Sequence, residues 1–283
     1  MFVSIDDLIS EAEKMPPFSL VAKKALSLLL DPDINMNELG NILGTDQTLA
    51  SLVLRWANSA YYGLSQPVYS VNHAVMCLGQ NVVRNLVLTA SLWSFMDKDL
   101  PGYQLKRGDL WKHSVGIAIG AKFLLEKFGK KISEEGYSAG LICDIGKLVF
   151  DKALINLDID PEKLENKPFP VIERDNFGID HAYLGYLLTK RWNLPESIIT
   201  AVMNHHQPSL AGEHIKITSA IHLADSALMS LGIGVGIDGL KYELEPEVFK
   251  TLDYPEDKMQ DLMLYINEQI NELVPYIGID EET

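Results

Sequence analysis

The stretch Ala139-Gly-Leu-Ile-Cys-Asp-Ile-Gly-Lys-Leu-Val-Phe150 decides how this chain is to be read. It has the apolar density of a buried helix, yet it carries Asp144 in the middle. A carboxylate among core residues costs several kcal/mol, of order 3, unless it is paired, hydrogen-bonded or bound to a metal. An ion pair between Asp144 and Lys147, three residues on, is the plainest explanation. The periodicity predicts one continuous helix over 134–150.

Working outward, the same anomaly recurs on other predicted helices. His113 lies a turn from Gly116 and Ile117, on a face that continues to Gly120 and Leu124. His181 shares a face with Leu184, Leu188 and Trp192. His205 and His206 end a helix whose inner face is Ile199, Val202 and Met203, where the macrodipole favours imidazoles in any case. Asp225 falls beside the stripe Ile217, Ile221, Ala224 and Leu228. Each has an ordinary reading as a hydrogen-bonded core residue or a cap. Together, imidazoles and carboxylates from separate helices are the donor types that borderline and hard divalent metals take. His73, His214 and His222 lack such surroundings and read as surface or loop residues.

The rest of the chain is helix after helix, with no run of period-two alternation. Pro16-Pro17 opens a segment with Phe18, Val21, Ala22, Ala25, Leu26 and Leu29 on one face, ended by Asp31-Pro32-Asp33. Helices follow over 37–43, 47–60, 70–79 (Ser70 as cap, Gly79 as stop) and 82–95. A second set is predicted over 109–128, 134–150, 181–192, 195–206 and 217–231, and an amphipathic helix over 256–274. The segment 152–176, with Pro161, Pro168 and Pro170, reads as a loop holding at most a short turn. The fold class is all-α.

Composition is that of a globular protein, with 47% apolar and 22% charged residues among 283. No stretch reaches the roughly 18–20 apolar residues that span a bilayer, and residues 1–13 lack the basic start of a secretory signal. Cys77 and Cys143 are far apart, without C-x-x-C spacing, which fits a reducing compartment, with the cytoplasm as the expected location. The net charge of −15 argues against a nucleic-acid partner.

The order of these residues resembles the HD superfamily of metal-dependent phosphohydrolases. Ala139 to Lys147 is similar to that superfamily's A-G-L-L-H-D-I-G-K, and Asp180-His-Ala-Tyr-Leu-Gly185, Trp192-Asn-Leu-Pro195 and His205-His-Gln-Pro208 follow in order. Leu54-Arg-Trp-Ala-Asn-Ser-Ala-Tyr-Tyr-Gly63, Ser70-Val-Asn-His-Ala-Val-Met-Cys-Leu-Gly79 and Val83-Arg-Asn-Leu-Val87 resemble the narrower HDOD domain signature. The resemblance implies a multi-helix HD-like fold with an N-terminal helical part. It divides the chain into a short extension (1–13), an HDOD domain (14–231, with parts 14–100 and 101–231) and a C-terminal helical extension (232–283). It implies His113, Asp144, His181, His205, His206 and Asp225 as metal ligands, and Lys147 as a catalytic cation if the site is active.

Two departures matter. Cys143 stands where the catalytic families have the His of their His-Asp pair; a thiolate prefers softer ions, and Cys143 could equally turn into the core. The segment after His206 reads Gln207-Pro-Ser-Leu-Ala-Gly-Glu-His214, without the Gly-Tyr-Pro segment of HD-GYP phosphodiesterases. The expectation is a stand-alone regulatory domain in bacterial signalling that binds partner proteins. Its metal site is degenerate, holding one divalent ion (Fe, Mn, Zn or Ni) or none. The alternative is a metal-dependent phosphohydrolase. Self-pairing into a homodimer stays open; no membrane association is expected. A less favoured alternative is helix-turn-helix DNA binding over 37–55; against it, Leu49, Leu52, Val53, Leu54 and Trp56 cover most of the would-be recognition helix, leaving Arg55 as its one basic group.

Overall fold

The computed structural model describes residues 4–15, 19–29, 31, 33–155, 167–236 and 243–273. The described chain is helical throughout, and among these residues its one β feature is an isolated bridge between Leu100 and Leu105. None of its helices is long and apolar enough to cross a membrane. Contacts divide the chain into two compact units, one of Met1–Pro16 with Met96–Ile266 and the other of Pro17–Phe95 with Asn267–Thr283.

The second unit contains α2 (Leu20–Leu28), α3 (Met36–Leu43), α4 (Gln47–Ala57) and nearly all of α5 (Val71–Met96). Ser19, not the preceding prolines, caps α2, its side chain accepting from Ala22 N; Asn35 and Asp46 cap α3 and α4 likewise. The helical run of α5 breaks at Gly79, which is non-helical at φ 78° and ψ 167°, as the stop expected there requires. Leu49, Leu52, Val53 and Trp56 of α4 are buried, while Gln47, Thr48, Ser51 and Arg55 are exposed. Asn58 ends it by clamping Val68, donating to Val68 O at 2.8 Å and accepting from Val68 N at 2.7 Å.

The first unit is built on α6 (Asp109–Leu125), α7 (Lys130–Ile142) and α12 (Ile215–Leu231), around which α8 (Lys147–Ile155), α9 (Phe169–Phe177), α10 (His181–Arg191) and α11 (Glu196–Asn204) assemble. Helices α6 and α12 are apolar nearly all round and correspondingly buried. Small residues let them approach: a Cβ on Gly120 of α6 would stand 2.8 Å from Ala224 Cβ of α12. The short α13 (Glu247–Thr251) and the start of α14 (Met259–Leu273) complete the unit.

Three expectations are corrected. The acidic start forms α1 (Ile5–Lys14), because Ser4 and Asp7 make a reciprocal capping box and Leu8 and Ala12 are buried. The helix expected over 134–150 is two helices, interrupted by a turn at 143–146. The loop expected over 152–176 begins with the end of α8 and contains α9, started by Pro168-Phe-Pro170 and stopped by Gly178 in the left-handed region. Residues 156–166, with Pro161, lie outside the described residues, as does Val274.

Candidate metal centre

The turn between α7 and α8 positions the central carboxylate. Ile145 N donates to Ile142 O at 3.1 Å and Lys147 N to Asp144 O at 2.9 Å, a tight reversal that ends one helix and starts the next. Gly146 makes this possible. Its α-carbon lies against the backbone of α10, where a Cβ would fall 1.9 Å from His181 O and 2.9 Å from Gly185 N. Only a residue without a side chain brings the turn this close to the start of α10.

Around Asp144 the side chains converge. Its Oδ2 is 3.1 Å from Lys147 Nζ and 3.6 Å from His113 Nε2. The Lys147 pair expected from sequence is therefore present, and both partners are buried. Oδ1 lies 3.3 Å from His181 Nε2 and 3.7 Å from His205 Nε2. Neither approach makes a hydrogen bond, the second being too long for one, so Oδ1 is buried without a hydrogen-bond partner. His206 Nε2 is 2.9 Å from His181 Nε2. One donor atom from each of Asp144, His181, His205 and His206 falls within 4.8 Å of the others.

His113 and Asp225 make a separate pair on the near side, Nε2 to Oδ1 at 3.0 Å, while His113 Nδ1 lies 2.8 Å from Ile233 O. With acceptors at both ring nitrogens, His113 is fully used as a donor. Burial opposes charge on this ring, but the Asp225 carboxylate outweighs it and raises the His113 pKa. Burial likewise works against ionised Asp225, which His113 nevertheless holds below the usual carboxylate value.

Glu173, on α9, is the residue that sequence reasoning missed. It is fully buried. Its Oε2 accepts from His181 N at 2.9 Å and from His181 Nδ1 at 2.7 Å, and its Oε1 accepts from Tyr103 Oη. Desolvation alone would depress the His181 pKa; Glu173 and Asp144 reverse this and raise it to about 10. The signal was available in Phe169, Ile172 and Phe177, which mark one buried helical face, but three prolines had marked the segment as a loop.

His222 is also corrected. Far from lying on the surface, it is 2% exposed on α12. Its Nδ1 donates to His205 O at 2.8 Å and its Nε2 accepts from Glu245 N at 3.1 Å, which assigns a neutral ring. Burial holds its pKa below the ordinary value. His73 is exposed and His214 half-buried, as expected.

Cys143 takes no part in the cluster. Its Sγ is buried and donates back to Gly140 O at 3.2 Å. Burial, reinforced by the nearby carboxylates of Asp144 and Asp225, pushes the thiol well above its usual pKa. A protonated, inward-turned thiol is a core residue.

The donor set fits a divalent cation. His205 Nδ1 donates to Val202 O at 2.7 Å, which in the neutral ring leaves the lone pair on Nε2. That lone pair faces the equally unprotonated Oδ1 of Asp144, and both atoms are buried without a hydrogen-bond partner. Two lone pairs facing each other in a dry interior are relieved by a cation, either a proton on the imidazole or a metal ion. Burial opposes ionisation of Asp144, but Lys147, His181 and His205 hold its pKa well below the usual value. Packing, together with His205 and His181, holds His206 well below its own. His206 lines a cavity of about 190 Å³ together with Arg174, Asp180, Glu243 and Glu245.

Fold and site together define an all-helical protein with a buried cluster of imidazoles and one carboxylate of the kind that takes a divalent metal. The HDOD domain profile matches residues 15–208, and the chain belongs to the HDOD domain family. An uncharacterised protein of Treponema pallidum is 26% identical over 235 residues, 81% of this chain; the chain spans 44% of that relative's length. An HDOD domain protein of unknown function from Geobacter sulfurreducens superposes with a TM-score of 0.70 at 24% identity, covering 98% of this chain and 99% of that one. A Shewanella amazonensis structure provisionally named a phosphohydrolase gives 0.75 at 19% identity, covering 96% and 98%. A Marinobacter aquaeolei structure provisionally named a signal transduction protein gives 0.73 at 22%, covering 96% of this chain and 60% of that one. At these identities the solved structures speak for the fold alone.

Proposed function

We propose that this chain is a regulatory HDOD module that acts through contacts with signalling proteins, and that its cluster is a structural site for one divalent ion. The observation that carries the reading is Cys143. Where a hydrolytic His-Asp pair would supply a second imidazole beside Asp144, the side chain turns into the core and donates to Gly140 O. His113 and Asp225 spend their facing atoms on each other, and Lys147 occupies the second oxygen of Asp144. One four-donor set is left, Asp144, His181, His205 and His206.

A divalent cation there supplies a fixed positive charge that can hold helices together or act as a Lewis acid. The chain's own residues favour the first role. Asp144 comes from the α7–α8 turn, His181 from the start of α10, and His205 and His206 from the end of α11, so one ion would tie three separate elements. Glu173 fixes the orientation of His181, and His222 fixes the backbone of His205. In the cavity beside His206, Arg174 is engaged by Asp180, while Glu243 and Glu245 add negative charge that would repel a phosphodiester.

Metal analysis of the purified chain should find at most one divalent ion per chain, lost in Asp144→Ala. Phosphodiesterase assays with added manganese or iron should show no turnover. Cys143→His should increase metal affinity by restoring the missing imidazole. Turnover in the native chain that disappears in Asp144→Ala would establish the phosphohydrolase reading in place of this one.

A further inference from the structure

Residues 243–246 come back to the edge of the metal cluster. They lead into α13, which packs on α12, with Val248 and Leu252 buried. Ahead of that anchor, Glu245 makes three hydrogen bonds. Its N–H donates to His222 Nε2 at 3.1 Å, and its carboxylate accepts from Ser209 N at 3.3 Å and Ser209 Oγ at 3.2 Å. Both partners lead to candidate ligands. His222 Nδ1 donates to His205 O at 2.8 Å. Ser209 follows His206 through a turn in which Gln207 N donates to Asn204 O at 2.8 Å and Leu210 N to Gln207 O at 3.0 Å. Glu245 is thus tied to the His205-His206 pair from two directions.

The ties differ in strength. His222 is buried, whereas the Ser209 contact is exposed. Water competes for both partners of an exposed hydrogen bond, so this segment can release without unfolding the helices beneath it. Charge makes its docking sensitive to the cluster. Glu243 and Glu245 line the same cavity as His206. Arg174, on that wall, is paired with Asp180, which leaves the two glutamates as net negative charge. With a divalent ion at the cluster, these carboxylates are attracted inward. Fixing His205 also fixes the His222 ring that receives the Glu245 N–H.

We propose that residues 243–246 are a strap whose docking is coupled to metal occupancy. The strap docks more firmly when the cluster holds an ion, and a docked strap disfavours loss of that ion. The inference rests on the reading of the cluster as a metal site. Linkage makes the two effects one factor: whatever firmness metal gives the strap, the strap gives back as metal affinity.

The test is hydrogen–deuterium exchange of the full chain in EDTA and in zinc, followed by zinc titration of a variant. Zinc should slow exchange of the Glu245 amide at least about fivefold, while amides of α4 in the other unit stay unchanged. Ser209→Asp sets a carboxylate against that of Glu245 and should undock the strap; Ser209 is exposed, so the chain still folds. Its zinc affinity should fall about fivefold or more. The sign is decisive, because without the strap an added negative charge near the site would tighten zinc by Coulomb attraction. Failure to take up any zinc would sink the metal-site reading, and this inference with it. Zinc uptake with an unslowed Glu245 amide, equal slowing in α4, or a smaller loss or a gain of affinity in Ser209→Asp would overturn the strap alone.

Discussion

Glu173→Gln isolates the charge that the structure places behind His181. Glutamine keeps the shape and can still accept from His181 and donate to Tyr103, so the variant removes mainly the negative charge. Glu173 and Asp144 together raise the His181 pKa to about 10, some 3–4 units above the ordinary imidazole value of about 6.5, and each unit corresponds to about 1.4 kcal/mol. The ceiling is therefore ~5 kcal/mol. Asp144 supplies part of the rise, so the loss assigned to Glu173 is about 3 kcal/mol, within the range for breaking a buried pair by removing one partner. The sign follows from the direction of the shift. A raised folded-state pKa gives stability that is fully present below about 6.5 and is lost as pH rises through about 10. Urea unfolding of the metal-free native chain and the variant should thus differ by about 3 kcal/mol at pH 6, and the gap should close toward pH 10. A difference below about 1 kcal/mol at pH 6, or one that stays constant to pH 10, would refute the account of His181 as a buried imidazolium.

Two further outcomes follow from the same geometry. Gly146→Ala would drive a Cβ into the backbone at His181 O and Gly185 N, where no side chain can rotate away; a loss of at least about 2 kcal/mol is expected, together with loss of metal binding. Unfolding within about 0.5 kcal/mol of the native chain would show that the turn is not fixed by this contact. Metal affinity should rise with pH, because His181 must give up a proton to ligate and its pKa lies near 10 in the metal-free protein. Isothermal titration between pH 6 and pH 8.5 should show about a tenfold gain per unit, and a flat profile would remove His181 from the ligand set.

Much of this molecule was legible in its string of residues. Apolar residues at helical spacing on α6, α10, α11 and α12 must be buried whatever their partners, so the all-helical class followed from local pattern alone. The burial cost of a carboxylate at Asp144 and of imidazoles at His113, His181 and His205 marked them for the same reason. The reading failed where a short-range signal was overruled. Prolines at 168 and 170 suggested a loop, yet they stand in the first turn of α9, where proline is at home. The periodicity through Ala139 to Phe150 hid a turn, because apolar residues are needed on both sides of a buried reversal as much as along a buried helix.

What one sequence could not decide is which atoms face each other. Asp144 Oδ1 opposing the lone pair of His205, Cys143 turned to Gly140 O, and Glu173 set behind His181 from a helix eight residues upstream depend on how α7, α9, α10 and α11 pack. Residue type limits what a side chain can do, and that is written along the chain. The partner it does it with is set within a few tenths of an ångström by close packing of distant segments, and only the folded tertiary structure supplies that.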